Sequence, residues 1–239
     1  MTPLDNFLFG IYPYICLAVF LLGSLIRFDR DQYTWKSDSS QLLRSGQLRW
    51  GSNLFHVGVL FLFFGHTLGM LTPHFLYEPF ISAGNKQLVA MISGGGFGLL
   101  GFIGVTILLH RRLFDLRIRV NSKTSDIGLL VLLWLQLALG LATIPLSAQH
   151  LDGSMMLKLA GWAQLIMTFQ AGAPELLAEA SWVFKSHMFL GMSIFLIFPF
   201  TRLVHVWSGF SSVAYLVRPY QMVRSRRLGV SASQSSQTR

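Results

Sequence analysis

Residues 51–69 read GSNLFHVGVLFLFFGHTLG, a run with two histidines and no Asp, Glu, Lys or Arg. They belong to an apolar block at 53–76, close to the ~20 residues that carry a helix across a bilayer. Four further blocks of this kind lie at about 4–26, 88–110, 126–146 and 182–207. Long apolar blocks are the signature of transmembrane helices. The expectation is an all-α, polytopic membrane protein built as a five-transmembrane-helix bundle.

Composition agrees. The chain has 239 residues and a mean hydropathy of +0.52, with 12% charged residues against roughly 25% in an ordinary soluble domain. A soluble chain of this size has no interior large enough for so much apolar surface. The net charge of +9 does not indicate nucleic acid, because the cations sit in short loops between apolar blocks and no basic run with interleaved aromatics is present. Cys16 is the only cysteine. That excludes an internal disulfide, an iron–sulfur cluster held by this chain alone, and covalent haem attachment through C-x-x-C-H. The N-terminal MTPLDNF carries no Lys or Arg, so the first block reads as a retained anchor and not a cleaved signal.

The loops predict orientation. Arg27, Arg30, Lys36, Arg44 and Arg49 lie between the first and second spans. Arg111, Arg112, Arg117, Arg119 and Lys123 lie between the third and fourth, and Arg218, Arg224, Arg226, Arg227 and Arg239 lie in the tail. The loops on the other side hold only Lys86 and Lys158. The positive-inside rule puts the N-terminus outside and the C-terminus in the cytoplasm, as five spans require. Residues 154–169 (SMMLKLAGWAQLIMTF) are too interrupted by Lys, Gly and Gln for a sixth span and read as an amphipathic helix on the outer interface. Residues 1–227 form one transmembrane domain in this reading, and 228–239 a disordered polar tail. The third span carries Gly94, Gly95, Gly96, Gly98, Gly101 and Gly104, which read first as close helix packing and otherwise as room for a flat cofactor.

His74, His110 and His150 fall at span ends, where an imidazole is cheap to place. His56 and His66 lie within the second span, and His187 and His205 within the fifth. An ionisable group inside a membrane is costly and marks a functional site by default. The two spans run in opposite directions, so His56 matches His205 near the inner face and His66 matches His187 near the outer. Along ideal helices His56 and His66 lie ~15 Å apart and His187 and His205 ~27 Å apart, a mismatch that requires tilt or bending. Pro199 supplies a kink. Zinc or copper would need one compact site of three or four ligands, whereas two sites of two imidazoles suit two b-type haems. Ligation without an open position favours electron transfer. Gly69, Gly191 and Gly209 lie within a turn of three of these histidines and leave room for a flat ring. Arg202 precedes His205 by one turn, where it is either a propionate partner or a snorkelling interfacial cation. Lys86 is either an ordinary loop lysine or a donor to a quinone oxygen or an outer propionate.

The segments at 51–69, 110–120 (HRRLFDLRIRV), 143–153 (TIPLSAQHLDG), 158–164 (KLAGWAQ) and 198–207 (FPFTRLVHVW) together resemble the gamma subunit of respiratory nitrate reductase, a cytochrome b membrane subunit. The resemblance covers about residues 3–227. It implies two non-covalent b-type haems, a distal one on His66 and His187 toward the outer side and a proximal one on His56 and His205 toward the inner. It implies a quinol site beside the distal haem at Gly65, His66 and Lys86, taking ubiquinol or menaquinol. It further implies an oxidoreductase subunit of the bacterial cytoplasmic (inner) membrane. Electrons would leave for an iron–sulfur beta subunit and a molybdenum-containing alpha subunit on the cytoplasmic side, where nitrate is reduced. A related dihaem subunit feeding a sulfur-compound reductase is the alternative within redox chemistry. A transporter using the histidines as a permeation path would show more acidic residues at mid-membrane and often a repeat. A purely structural anchor leaves the paired histidines unexplained.

Overall fold

A computed structural model describes residues 2–31 and 45–207, and among these every regular element is helical. Lys36, Arg44, Gly209, the tail cations from Arg218 to Arg239, and the boundary at 227 with the polar tail beyond it lie outside the described residues. The chain divides into two compact units, Met1–Val204 and His205–Arg239. Of the second unit, 205–207 are described and helical.

The first unit opens with α1 (Pro3–Asn6), capped by Thr2 and Asp5 in a reciprocal capping box. One π-helical turn, Phe7–Ile11, leads into α2 (Tyr12–Asp31). The remaining helices are α3 (Ser45–Leu71), α4 (His74–Tyr77), α5 (Ala83–Phe114), α6 (Leu116–Val120), α7 (Thr124–Ser147), α8 (Ser154–Met167) and α9 (Trp182–Ile197). Helix starts follow local chemistry: Ser82 caps α5 and Asp115 caps α6, each side chain accepting from backbone N–H groups of the first turn.

Five helical segments among the described residues are long and apolar enough to cross a membrane: Pro3–Arg30, Gly46–Leu71, Ala83–Phe114, Thr124–Ser147 and Trp182–Phe200. The protein is a multi-pass membrane protein of five such helices. The second span starts seven residues earlier and ends five earlier than hydropathy alone suggests (46–71 against 53–76). Its first turns carry Gln47, Arg49 and Ser52, which continue the helix without adding apolar character.

Neighbouring helices pack in the order α3, α5, α7, α9, α2. The α3–α5 contact is the most intimate. A Cβ on Gly58 would lie 2.4 Å from the Gly101 nitrogen, and one on Gly104 would lie 2.3 Å from the Phe55 nitrogen. Small residues let these backbones touch, which accounts for Gly101 and Gly104, whereas Gly95 and Gly98 face Ile144 and Leu141 of α7. Gly94 and Gly96 meet nothing within 4 Å.

The helix through 154–167 is not among the five spans and buries one face: Ala160, Trp162, Ala163 and Ile166 pack in a cluster with Phe9, Cys16, Leu177, Phe184 and Met192, while Met167 is exposed. It is tied in by polar pins. Trp162 Nε1 donates to the Phe9 carbonyl at 2.9 Å, in the π turn, and Gln164 Nε2 donates to the carbonyls of Met70 and Thr72 at the end of α3. One sequence expectation needs correction: the fifth helix does not run unbroken to Trp207. The α-helix ends at Ile197, gives way to a 3-10 turn at Phe198–Phe200, and is extended at Thr201. Pro199 has no N–H to continue the helix, and Arg27 donates to the freed carbonyls of Pro199 and Thr201 at 2.6 and 2.9 Å. The ideal-helix rise between His187 and His205 therefore does not apply.

Candidate functional site

His66 and His187 come together. Their ring centroids are 6.3 Å apart, with the rings tilted by 46°. The two helices that carry them, α3 and α9, share no extensive interface, since α5 and α7 stand between them in the packing order. The imidazoles thus approach each other across a gap. A metal–imidazole bond is about 2 Å and the ring centre lies about 1 Å behind the nitrogen, so two imidazoles on opposite sides of one metal have centroids about 6 Å apart. The couple has that separation.

The surroundings of the two rings suit ligation. His66 Nδ1 is 2.7 Å from the Leu62 carbonyl, one turn earlier on α3. As donor there, Nδ1 holds the proton and leaves Nε2 as the free lone pair. His56 repeats the device, with Nδ1 2.8 Å from the Ser52 carbonyl. His187 is placed by α7: a Cβ on Gly140 would lie 2.9 Å from its Cε1, and the backbone of Gln136 faces its ring. Would-be Cβ atoms on Gly65, next to His66, and on Gly69, three residues further on, meet nothing within 4 Å. Among the described residues no group of three or more His, Cys, Asp or Glu gathers as a metal site. The donor set is a couple, and it fits a flat macrocycle with two axial nitrogens better than a tetrahedral ion.

His205 is the first residue of the second unit. Arg202, the last turn of the first unit, directs Nη1 to Asp126 Oδ2 at 3.4 Å, and Arg112 Nη1 reaches the same oxygen at 3.6 Å. The ion pair with Asp126 was not legible in the spacing of Arg202 and His205. His110 and His150 are exposed, and His74 pairs with Glu78 at 3.1 Å, as span-end histidines should.

Lys86 lies in the first turn of α5, and its Nζ is 3.5 Å from the centre of the Tyr77 ring. The Nζ is buried and has no hydrogen-bond partner. The backbone beneath it is fixed by TIPLSAQHLDG. Gln87 Nε2 donates to the carbonyls of Ser147 and His150 at 2.9 and 2.7 Å. Gly153, at φ +84°, lies so close to Ala83 that a Cβ would meet its carbonyl carbon at 2.6 Å. Gly140, Gln136 and Tyr77 give no signal in the sequence, because their roles depend on which helices become neighbours.

A family model described as nitrate reductase gamma subunit matches residues 5–226. The chain is 54% identical to the respiratory nitrate reductase 2 gamma chain of Escherichia coli (strain K12) over 94% of its own length and 98% of the relative's. It is 52% identical to the respiratory nitrate reductase 1 gamma chain of the same organism, covering 95% of this chain and all of that one. The nitrate reductase gamma chain of Bacillus subtilis (strain 168) is 37% identical over 92% of this chain and 97% of its own. With a match that spans all five helices and the histidine couple, this chain belongs to the nitrate reductase gamma subunit family.

Proposed function

We propose that the chain is the dihaem cytochrome b subunit of a quinol-dependent respiratory nitrate reductase in the bacterial cytoplasmic membrane. The observation that carries this reading is the His66–His187 couple, two imidazoles at bis-ligand separation on helices that otherwise stand apart. His66 and His187 would hold the distal haem, and His56 and His205 the proximal one. Two b-type haems bound there would supply one-electron transfer between the outer and inner sides of the membrane.

The chain's own residues do the rest. The carbonyls of Leu62 and Ser52 fix His66 and His56 in the tautomer whose Nε2 can ligate. A haem held by two imidazoles would supply electron transfer rather than oxygen binding. Lys86 donates to one oxygen of the bound quinol, and the space beside Gly65 admits its ring next to His66. Quinol gives up two electrons and its two hydroxyl protons, and the protons leave on the outer side. The electrons continue to an iron–sulfur beta subunit and a molybdenum-containing alpha subunit in the cytoplasm. Moving an electron inward against a negative-inside potential costs ~2.3 kcal/mol per 100 mV if it crosses the whole membrane, so the redox drop to nitrate must exceed that work. Arg202 is the candidate partner for a proximal propionate.

The test is spectroscopic and then kinetic. Purified protein should give a dithionite-reduced low-spin haem b spectrum with about two haems per chain. His66→Ala should remove the distal haem and quinol oxidation together. Quinol-dependent haem reduction that survives His66→Ala would count against the assigned site.

A further inference from the structure

Three lysines lie at the end of the bundle that carries His66 and His187 among the described residues, and two of them hold carboxylates. Lys158 pairs with Glu179, and Lys185 pairs with Asp5 at 3.2 Å. The Lys158 pairing also keeps the Glu179 carboxyl below its usual range. Lys86 differs from both. Its ammonium is buried, has no hydrogen-bond partner, and rests on the face of Tyr77. Tyr77 is itself buried, at 9% exposure, in the short helix α4 between the second and third spans. Its ring also makes a T-shaped contact with His74, at 5.2 Å between centroids.

A ring quadrupole attracts an ammonium, but less strongly than a hydrogen-bonding oxygen in the same dry surroundings. The ring therefore holds Lys86 at one place without satisfying its three donors. The backbone under Lys86 is pinned by Gln87, Gly84 and Gly153, so only the side chain has freedom to swing.

We propose that Tyr77 is a positioning residue for quinol oxidation: its ring face holds the Lys86 ammonium in wait and yields it to an oxygen of the incoming quinol. This rests on the reading of Lys86 as part of the quinol site. The ring lowers the cost of capturing substrate because the ammonium is already ordered and dehydrated. Tyr77 does not touch the reacting atoms, so its effect belongs in KM and not in the turnover of bound quinol.

The test uses the assembled membrane complex and a short-chain quinol, with KM, kcat and haem content measured for each variant. Tyr77→Leu removes the ring face and should raise KM about tenfold while kcat stays within about twofold. Tyr77→Phe keeps the face and should return KM to within about twofold of the unaltered protein. Lys86→Ala should raise KM, and adding Tyr77→Leu to it should cost nothing more, because the ring acts only through the ammonium. Tyr77→Met, of similar bulk and without a ring, repeats the measurement should Tyr77→Leu lose haem. An unchanged KM in Tyr77→Leu or Tyr77→Met beside a raised KM in Lys86→Ala overturns the proposal alone. So does equal damage from Tyr77→Phe, which would implicate the hydroxyl, or additivity in the double variant. Normal quinol oxidation by Lys86→Ala would overturn the quinol-site reading and the proposal with it.

Discussion

The imidazole of His187 lies against a position on α7 that has no side chain. A Cβ at Gly140 would stand 2.9 Å from Cε1, 3.5 Å from Nδ1 and 3.6 Å from Nε2 of that ring, so the Cε1 end of the imidazole leans on the glycine. The ring is the one thing able to move, because the opposing wall is helical backbone. Gly140→Val should therefore push His187 out of its ligating position and cost the distal haem, and Gly140→Ala should do so in part. The haem-to-protein ratio and the reduced spectrum read this directly, and full haem content in Gly140→Val would refute the packing argument. The pairing of His66 with His187 was legible in the sequence, since ionisable groups inside apolar blocks stand out against their surroundings. Gly140 was not. Glycine is common in transmembrane helices as a packing residue, and nothing in its own neighbourhood says that a ligand on another helix leans on it.

Where α3 and α5 meet, some glycines face backbone with no room for a Cβ and others have ordinary van der Waals room, and the difference predicts unequal tolerance. At Gly58 an added methyl meets the Gly101 backbone at 2.4 Å, and backbone has nowhere to go. At Gly101 the nearest atoms to a new Cβ are Leu137 Cδ1 at 3.6 Å and Gly58 Cα at 3.7 Å, which is ordinary contact. Gly58→Ala should destabilise the bundle by about 1–3 kcal/mol through overpacking, whereas Gly101→Ala should be close to neutral. Thermal loss of the haem absorbance in detergent separates the two, and equal midpoints would contradict the close approach. Hydropathy made all five spans legible because each carries enough apolar length on its own. It misjudged their ends, where polar residues such as Gln47 and Ser52 continue a helix without contributing to the apolar signal. The buried face of α8 could not be assigned partners from sequence, because Trp162 and Gln164 find their carbonyl partners on other helices. The break after Ile197 was foreseen as a kink at Pro199. The part played by Arg27, which closes that break, was hidden under its reading as a topology-setting cation.

Charge is unevenly distributed between the two ends of the bundle. Near the His66–His187 couple the lysines Lys158 and Lys185 are neutralised by Glu179 and Asp5. At the other end Arg111 and Arg112 close α5, and Arg112 shares Asp126 with Arg202. The 32 residues of α5 rise ~48 Å, more than the ~30 Å hydrocarbon layer, so these arginines have length enough to emerge beyond it. An excess of Arg and Lys on one side orients a membrane protein with that side in the cytoplasm. The N-terminus should then be outside and the C-terminus inside. A C-terminal alkaline phosphatase fusion should be inactive, and a C-terminal fluorescent-protein fusion should be bright. The reverse pattern would put His66, Lys86 and Tyr77 on the cytoplasmic side. Protons from quinol would then be released where nitrate reduction consumes protons, and electron transfer would no longer work against the membrane potential. Under the proposed function, energy conservation would thus depend on the sidedness of the arginines as much as on the geometry of the histidines.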